Sequence, residues 1–204
     1  MAPFVVIEGI DGCGKGTQAN LLMGRLKELG REVVLTREPT KGAVGKLIRD
    51  HLSNPFLDDK SLALLFAADR IEHIEKEVIP NLEQGKIVIS DRYAYSSIAY
   101  QGQTLDPDWV ASINDHALKP DAVVLIDLDP AIARKRIEGR DEGMEYFEHD
   151  PHFQEGVRKT FLALSKGQHL PESLKTNFIV VSGEGDKKEI FERIWDKLES
   201  IVMH

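Results

Sequence analysis

The run Gly9-Ile10-Asp11-Gly12-Cys13-Gly14-Lys15-Gly16-Thr17 has the residue types and spacing that bind polyphosphates. Its glycines let the backbone take positive φ and come close to a ligand. The loop amides, and the N-terminus of the helix expected after them, face an anion. Lys15 adds a point charge for the terminal phosphates. The usual pattern ends in Ser or Thr directly after the lysine, and here that place is taken by Gly16. Thr17 follows and is the candidate hydroxyl for Mg²⁺, held directly or through water. Cys13 lies inside the glycine loop; a helix N-terminus lowers a thiol pKa, but a small, tolerated side chain is the better reading of it.

Three further groups carry candidate chemistry. Arg37-Glu38-Pro39-Thr40 follows an apolar run and either faces a ligand crevice or forms a salt-bridged loop. Phe66 and Arg70 are four apart and share a helix face. A ring beside a guanidinium suits a planar heterocycle, which one stacks on and the other hydrogen-bonds; a core Phe with a surface Arg has the same spacing. Asp91-Arg92 comes directly after another apolar run, followed by Ser96, Ser97, Tyr100 and Gln101. An acid there is how a magnesium-associated Asp is presented, and Arg92 beside it can clamp a second phosphate. Asp127 ends a similar run and competes for the metal role; the basic residue and hydroxyls after Asp91 favour Asp91.

Arg134, Lys135, Arg136 and Arg140 are crowded together, with glycines at 139 and 143 and acids up to Glu148. This is either a solvated helix face or a cationic lid over transferring phosphates, placed at about 136–148. His149 and His152 lie near Asp150, but no histidine has metal-ligand spacing, and all are read as ordinary.

Parallel strands buried on both faces position such residues. Apolar runs at 3–8, 33–36, 87–90, 123–128 and 178–181 mostly lack polar alternation. Between them, helical patterns fall at about 15–29, 43–52, 61–83, 93–101, 107–117, 130–138, 150–167 and 186–202. The alternation predicts an α/β fold: a five-stranded parallel sheet flanked by helices on both faces, in a single domain spanning 1–204. Ligands then sit beyond the carboxyl ends of the strands, where each group above falls.

The chain is 42% hydrophobic and 29% charged over 204 residues, enough for a sizeable core. A net charge of −8 argues against nucleic acid as a partner. One cysteine precludes an internal disulfide. With neither a signal peptide nor a membrane-length apolar run, the expectation is a cytoplasmic protein without membrane association. A guanine-reading Asn-Lys-x-Asp motif is absent, so a GTPase switch is disfavoured.

In this order, EGIDGCGKGTQ (8–18), TREP (36–39), FAADR (66–70) and DRYAYSSIAYQG (91–102) resemble the thymidylate kinase family of P-loop nucleoside monophosphate kinases. DLDPAIARKRIEGR (127–140) and YFE (146–148) add weaker support. The resemblance implies transfer of the γ-phosphoryl of ATP to dTMP with Mg²⁺, by a homodimer whose contact includes 61–68. It further implies that Lys15 and the loop amides hold the donor, Asp11 lies near acceptor and metal, and Arg92 holds the acceptor phosphate. Phe66 would stack on thymine and Arg70 hydrogen-bond its edge, with Ser97 near the base. Tyr100 would crowd the sugar 2′ position, and Glu38 would order the acceptor site. Some relatives carry an arginine in the loop where this chain has Gly12; catalytic charge would then come from Arg136 and Arg140. Many lids read Asp-Arg-Phe-Glu, whereas Glu145-Tyr146-Phe147-Glu148 lacks the arginine. Gly16-Thr17 is also similar to adenylate kinases, so a UMP-, CMP- or AMP-type kinase is the alternative.

Overall fold

Strands made of Val, Ile and Leu with no polar face must be covered on both sides, and the chain does this with two helical layers. The computed structural model describes residues 2–139 and 151–203. Strands β1 (Phe4–Glu8), β2 (Val33–Arg37), β3 (Ile87–Asp91), β4 (Ala122–Asp127) and β5 (Asn177–Ser182) form one parallel sheet in the order β2-β3-β1-β4-β5. Central β1 is fully buried, with Val5 paired to Ile89 on one side and Ala122 on the other.

The helices are α1 (Lys15–Glu28), α2 (Ala43–Ser53), α3 (Asp59–His73), α4 (Ile79–Glu83), α5 (Ala94–Gln101), α6 (Pro107–Ile113), α7 (Pro130–Glu138), α8 (Pro151–Leu164) and α9 (Lys187–Val202). Helices α1 and α9 pack together on one face, with α3, α5 and α8 on the other, as right-handed crossovers require. A capping box between Asp186 and Glu189 starts α9, which buries Ile190, Ile194, Trp195, Leu198 and Val202. All five strands begin and end within about one residue of the apolar runs that predict them.

Several boundaries differ from expectation, among them the end of α8 at Leu164 rather than 167. The pattern at 61–83 is not one helix: a π-helical turn, Ile74–Val78, separates α3 from α4. Pro80 has no N–H to donate and its ring crowds the carbonyl four residues back, so the ladder widens there. Helix α6 ends at Ile113 rather than 117 because Asn114 turns its side chain inward, donating from Nδ2 to the Val110 carbonyl at 2.8 Å. Residues 136–138, expected as the beginning of a lid, instead form the last turn of α7. Arg140 and the acidic stretch through Asp150, including Glu145 to Glu148, lie outside the described residues.

Candidate active site

At the end of β1 the chain turns through Gly9 (φ 145°), Gly12 (φ 79°) and Gly14 (φ 101°) before α1 begins at Lys15. A Cβ at Gly9 would stand 2.6 Å from the Ile126 carbonyl and 2.7 Å from Cys13 Sγ, so the loop closes only with glycine there. Gly12 abuts the Ala133 carbonyl of α7, which leaves no room for a loop arginine. Lys15 Nζ is buried and donates to the carbonyls of Gly9 (2.8 Å) and Ile10 (2.9 Å), with Asp11 Oδ1 at 3.9 Å. Cys13 is buried, and burial raises its thiol pKa against the pull of Lys15, so it is an inert packing residue.

Asp11 is the junction with the opposite wall. Its Oδ1 pairs with Arg92 Nη2 and its Oδ2 accepts from the Tyr100 hydroxyl at 2.8 Å. Burial alone would raise its pKa, but the Arg92 and Lys15 charges win and hold the carboxyl below the usual range. The Arg92 guanidinium lies over the Tyr100 ring, 5.1 Å from its centre, and reaches Ser96 Oγ at 3.3 Å.

A second cluster lies beyond β2. The buried Glu38 carboxylate receives Arg70 Nη2 at 2.7 Å and faces His73 Nδ1 at 3.0 Å; His73 Nε2 lies 2.7 Å from Thr36 Oγ1. Arg70, 2% exposed, also donates to Ser97 Oγ at 3.1 Å and to Asn114 Oδ1, and sits over the Tyr93 ring. Asp69 holds the loop before α2 by accepting from Thr40 N (2.7 Å) and Oγ1 (2.6 Å). Phe66 is half-buried one turn before Arg70 on α3, and Gln101 is buried at the end of α5. Ser96 touches Arg92 and its neighbour Ser97 touches Arg70, so one turn of α5 joins the clusters. Glu38 is thus no surface residue, although Arg37 beside it is exposed, and Arg70 is no surface arginine.

The two candidate metal acids differ sharply. Asp91 Oδ1 is buried with no hydrogen-bond partner among the described residues, and its Oδ2 would stand 3.3 Å from a Cβ at Gly16. Asp127 is occupied: Arg158 of α8 donates to both of its oxygens, at 2.7 and 3.1 Å. An orphaned carboxylate oxygen beside the lysine loop fits a hard cation. Thr17 is exposed on the first turn of α1.

Arg136 points at the loop rather than outward. Its guanidinium donates to the carbonyls of Gly183 (3.0 Å), Gly185 (3.4 Å) and Cys13 (3.5 Å), tying the turn after β5 to the loop after β1. Arg134 instead pairs with Glu138 at 2.8 Å on an exposed face. Asp11 also lines a cavity of about 360 Å³ between α7 and α8, bounded by Ala133, Ile137 and Gln154.

Sequence reasoning missed Glu8, His73, Asn114 and Arg158. Glu8 had a signal, an acid closing a wholly apolar strand. His73 is read as ordinary above, yet it is buried against Glu38. Asn114 and Arg158 carry no local signal, since each matters only through a partner 44 or 31 positions away.

A glycine loop closing the central strand, with anion-binding groups massed at the same sheet edge, makes this a P-loop protein of the nucleoside monophosphate kinase type. The sequence model for "Thymidylate kinase" matches residues 7–194. The chain is 47% identical over 173 residues to "Probable thymidylate kinase" of Thermococcus onnurineus, covering 80% of this chain and 84% of that one. It is 40% identical over 208 residues to the protein of that name from Methanococcus maripaludis strain C7, covering 99% and 100%. The chain belongs to the thymidylate kinase family, and its activity is the phosphorylation of dTMP.

Proposed function

We propose that this enzyme transfers the γ-phosphoryl of ATP directly to the 5′-phosphate of dTMP, in line and with Mg²⁺, giving ADP and dTDP. The observation that carries the reading is the Asp11–Arg92–Tyr100 junction, which puts an acceptor-side cation within one carboxylate of Lys15. At neutral pH the acceptor is mostly a dianion, because the second pKa of a phosphate monoester is about 6. It needs no strong general base. The protein must bring two anions together and neutralise the charge in transit.

Each residue has a part in that. The amides from Gly9 to Thr17 and the Lys15 ammonium hold the donor phosphates, and Arg92 holds the acceptor phosphate. Asp11 directs the Arg92 guanidinium, and Tyr100 closes the sugar's 2′ side. Phe66 stacks on thymine while Arg70, fixed by Glu38 and Ser97, reads its edge beside Gln101. Asp91, helped by Thr17, would hold Mg²⁺, which supplies charge neutralisation on the donor. Arg136 steadies the donor-side turn, and Arg140 is the remaining candidate for catalytic charge. Exposed Leu47 on α2, with Leu64 and Ile71 seven residues apart on α3, suits contact with a second copy of the chain. We place the enzyme in the cytoplasm; no helix among the described residues is long and apolar enough to cross a membrane.

The test is ADP release from ATP and Mg²⁺ with each nucleoside monophosphate in turn. Stimulation by dTMP well above UMP, CMP and AMP is expected, and a preference for AMP would overturn the base assignment.

A further inference from the structure

Arg92 has φ 74°, a left-handed backbone conformation that side chains disfavour. Such a residue persists only where its surroundings over-determine it. Upstream, Arg92 N donates to the Ile7 carbonyl at 3.0 Å, and Ser90 Oγ donates to the Arg92 carbonyl at 2.7 Å. Downstream, the donors converge on one side chain from another strand. Tyr93 N (2.8 Å) and Ser96 N (3.1 Å) donate to Glu8 Oε1, and Ser96 Oγ donates to Glu8 Oε2 at 2.6 Å. Helix α5 has no side-chain cap from its own N-cap residue, Tyr93, and the Glu8 carboxylate satisfies those amides instead. Glu8 is fully buried, and it does not touch the Arg92 guanidinium directly; Ser96 Oγ lies between them.

We propose that Glu8 is a positioning residue for the acceptor-phosphate clamp, acting through Tyr93 and Ser96 to hold Arg92 in its left-handed turn and aim its guanidinium. This rests on the reading of Arg92 as the acceptor-phosphate ligand. Burial lifts the Glu8 carboxyl to about 7 against the opposing pull of Ser96, Arg92 and Lys15, which fits a group placed for geometry rather than for free charge. Glu8→Gln keeps the volume but replaces one acceptor oxygen with a donor, so one of the three contacts must rearrange.

The experiment measures dTMP and ATP binding by calorimetry, separately, on the full-length protein and its Glu8→Gln, Ser96→Ala, Arg92→Ala and Glu8→Gln/Arg92→Ala variants. Glu8→Gln and Ser96→Ala should each weaken dTMP binding roughly 10- to 100-fold, the range for a hydrogen bond to a charged group, with ATP affinity changed less than about threefold. The double variant should bind dTMP no worse than Arg92→Ala alone, because both changes remove one interaction. Equal losses for dTMP and ATP, or multiplied losses in the double variant, would mean a merely structural role and overturn the proposal. Unchanged dTMP binding by Glu8→Gln alongside a large loss in Arg92→Ala overturns the proposal but leaves the Arg92 reading standing. Normal dTMP binding by Arg92→Ala removes both. If Glu8→Gln does not fold, the same cycle built on Ser96→Ala decides.

Discussion

At the end of β1 the cleft is built from main chain: glycine turns, loop amides and a lysine whose ammonium rests on the Gly9 and Ile10 carbonyls. Beyond β2 and along α3 it is built from side chains, with Arg70 held by Glu38, Ser97 and Asn114 and Glu38 held by His73. The difference follows from the ligands each end would meet. Phosphates are alike in every nucleotide, so generic amides serve them. A base must be told from other bases, and that needs donors and acceptors fixed in direction. Damage to the first end should therefore appear in turnover, and damage to the second in dTMP affinity and stability.

The sharpest division comes from Lys15→Ala. Turnover should fall roughly 10³- to 10⁵-fold, the scale of single cations in phosphoryl transfer, with an unchanged circular dichroism spectrum. Near-normal turnover by the folded variant would erase the functional meaning of the loop. Arg70→Ala should instead destabilise the protein by about 3–5 kcal/mol in urea unfolding, because it leaves the Glu38 charge buried without its partner, and should raise KM for dTMP. A loss confined to kcat would dissolve the contrast between the two ends.

Acidity separates Glu8 and Asp11, the two carboxylates on either side of the loop's first turn. The Glu8 pKa is raised to about 7, so its contribution is full below the ordinary Glu value of 4.5 and is lost as pH rises toward 7. The Asp11 pKa is lowered, so its contribution is present above the ordinary Asp value of 3.8 and is lost as pH falls below it. Glu8→Gln should thus remove a decline in unfolding free energy on the order of 3 kcal/mol between pH 4.5 and 7. Parallel stability curves for wild type and variant would contradict that assignment. The smallest effect expected is at the base: dUMP should be used roughly 10- to 200-fold less efficiently than dTMP, which is what one methyl group in an apolar pocket supports. Equal kcat/KM for the two would remove Phe66 and Arg70 from the thymine pocket.

These ends were not equally legible in the sequence. The loop is contiguous, and its glycines and lysine announce themselves within one short stretch. The strands are readable because burial on both faces leaves unbroken apolar runs, whereas the π-helical turn before Pro80 interrupts a pattern that reads as one helix. The base end is assembled from residues between 36 and 114, and spacing alone left Glu38 and Arg70 open to ordinary readings. Asn114 looked like a helix residue until its partner across the cleft was known. His73 reads as ordinary for the same reason, its partners Glu38 and Thr36 lying far along the chain. Neighbouring residues favour Asp91 over Asp127, while the partner that occupies Asp127, Arg158, lies on α8, 31 positions away.

The pairing of Ser96 with Arg92 and of Ser97 with Arg70 has a metric consequence. Adjacent residues of one helix cannot drift apart, so Arg92 and Arg70, the proposed phosphate grip and base reader, are both tied to one turn of α5. Such a gauge measures length as well as chemistry. On the proposed roles of the two arginines, a nucleoside would leave one jaw unfilled and a diphosphate would overshoot it, which suits a monophosphate.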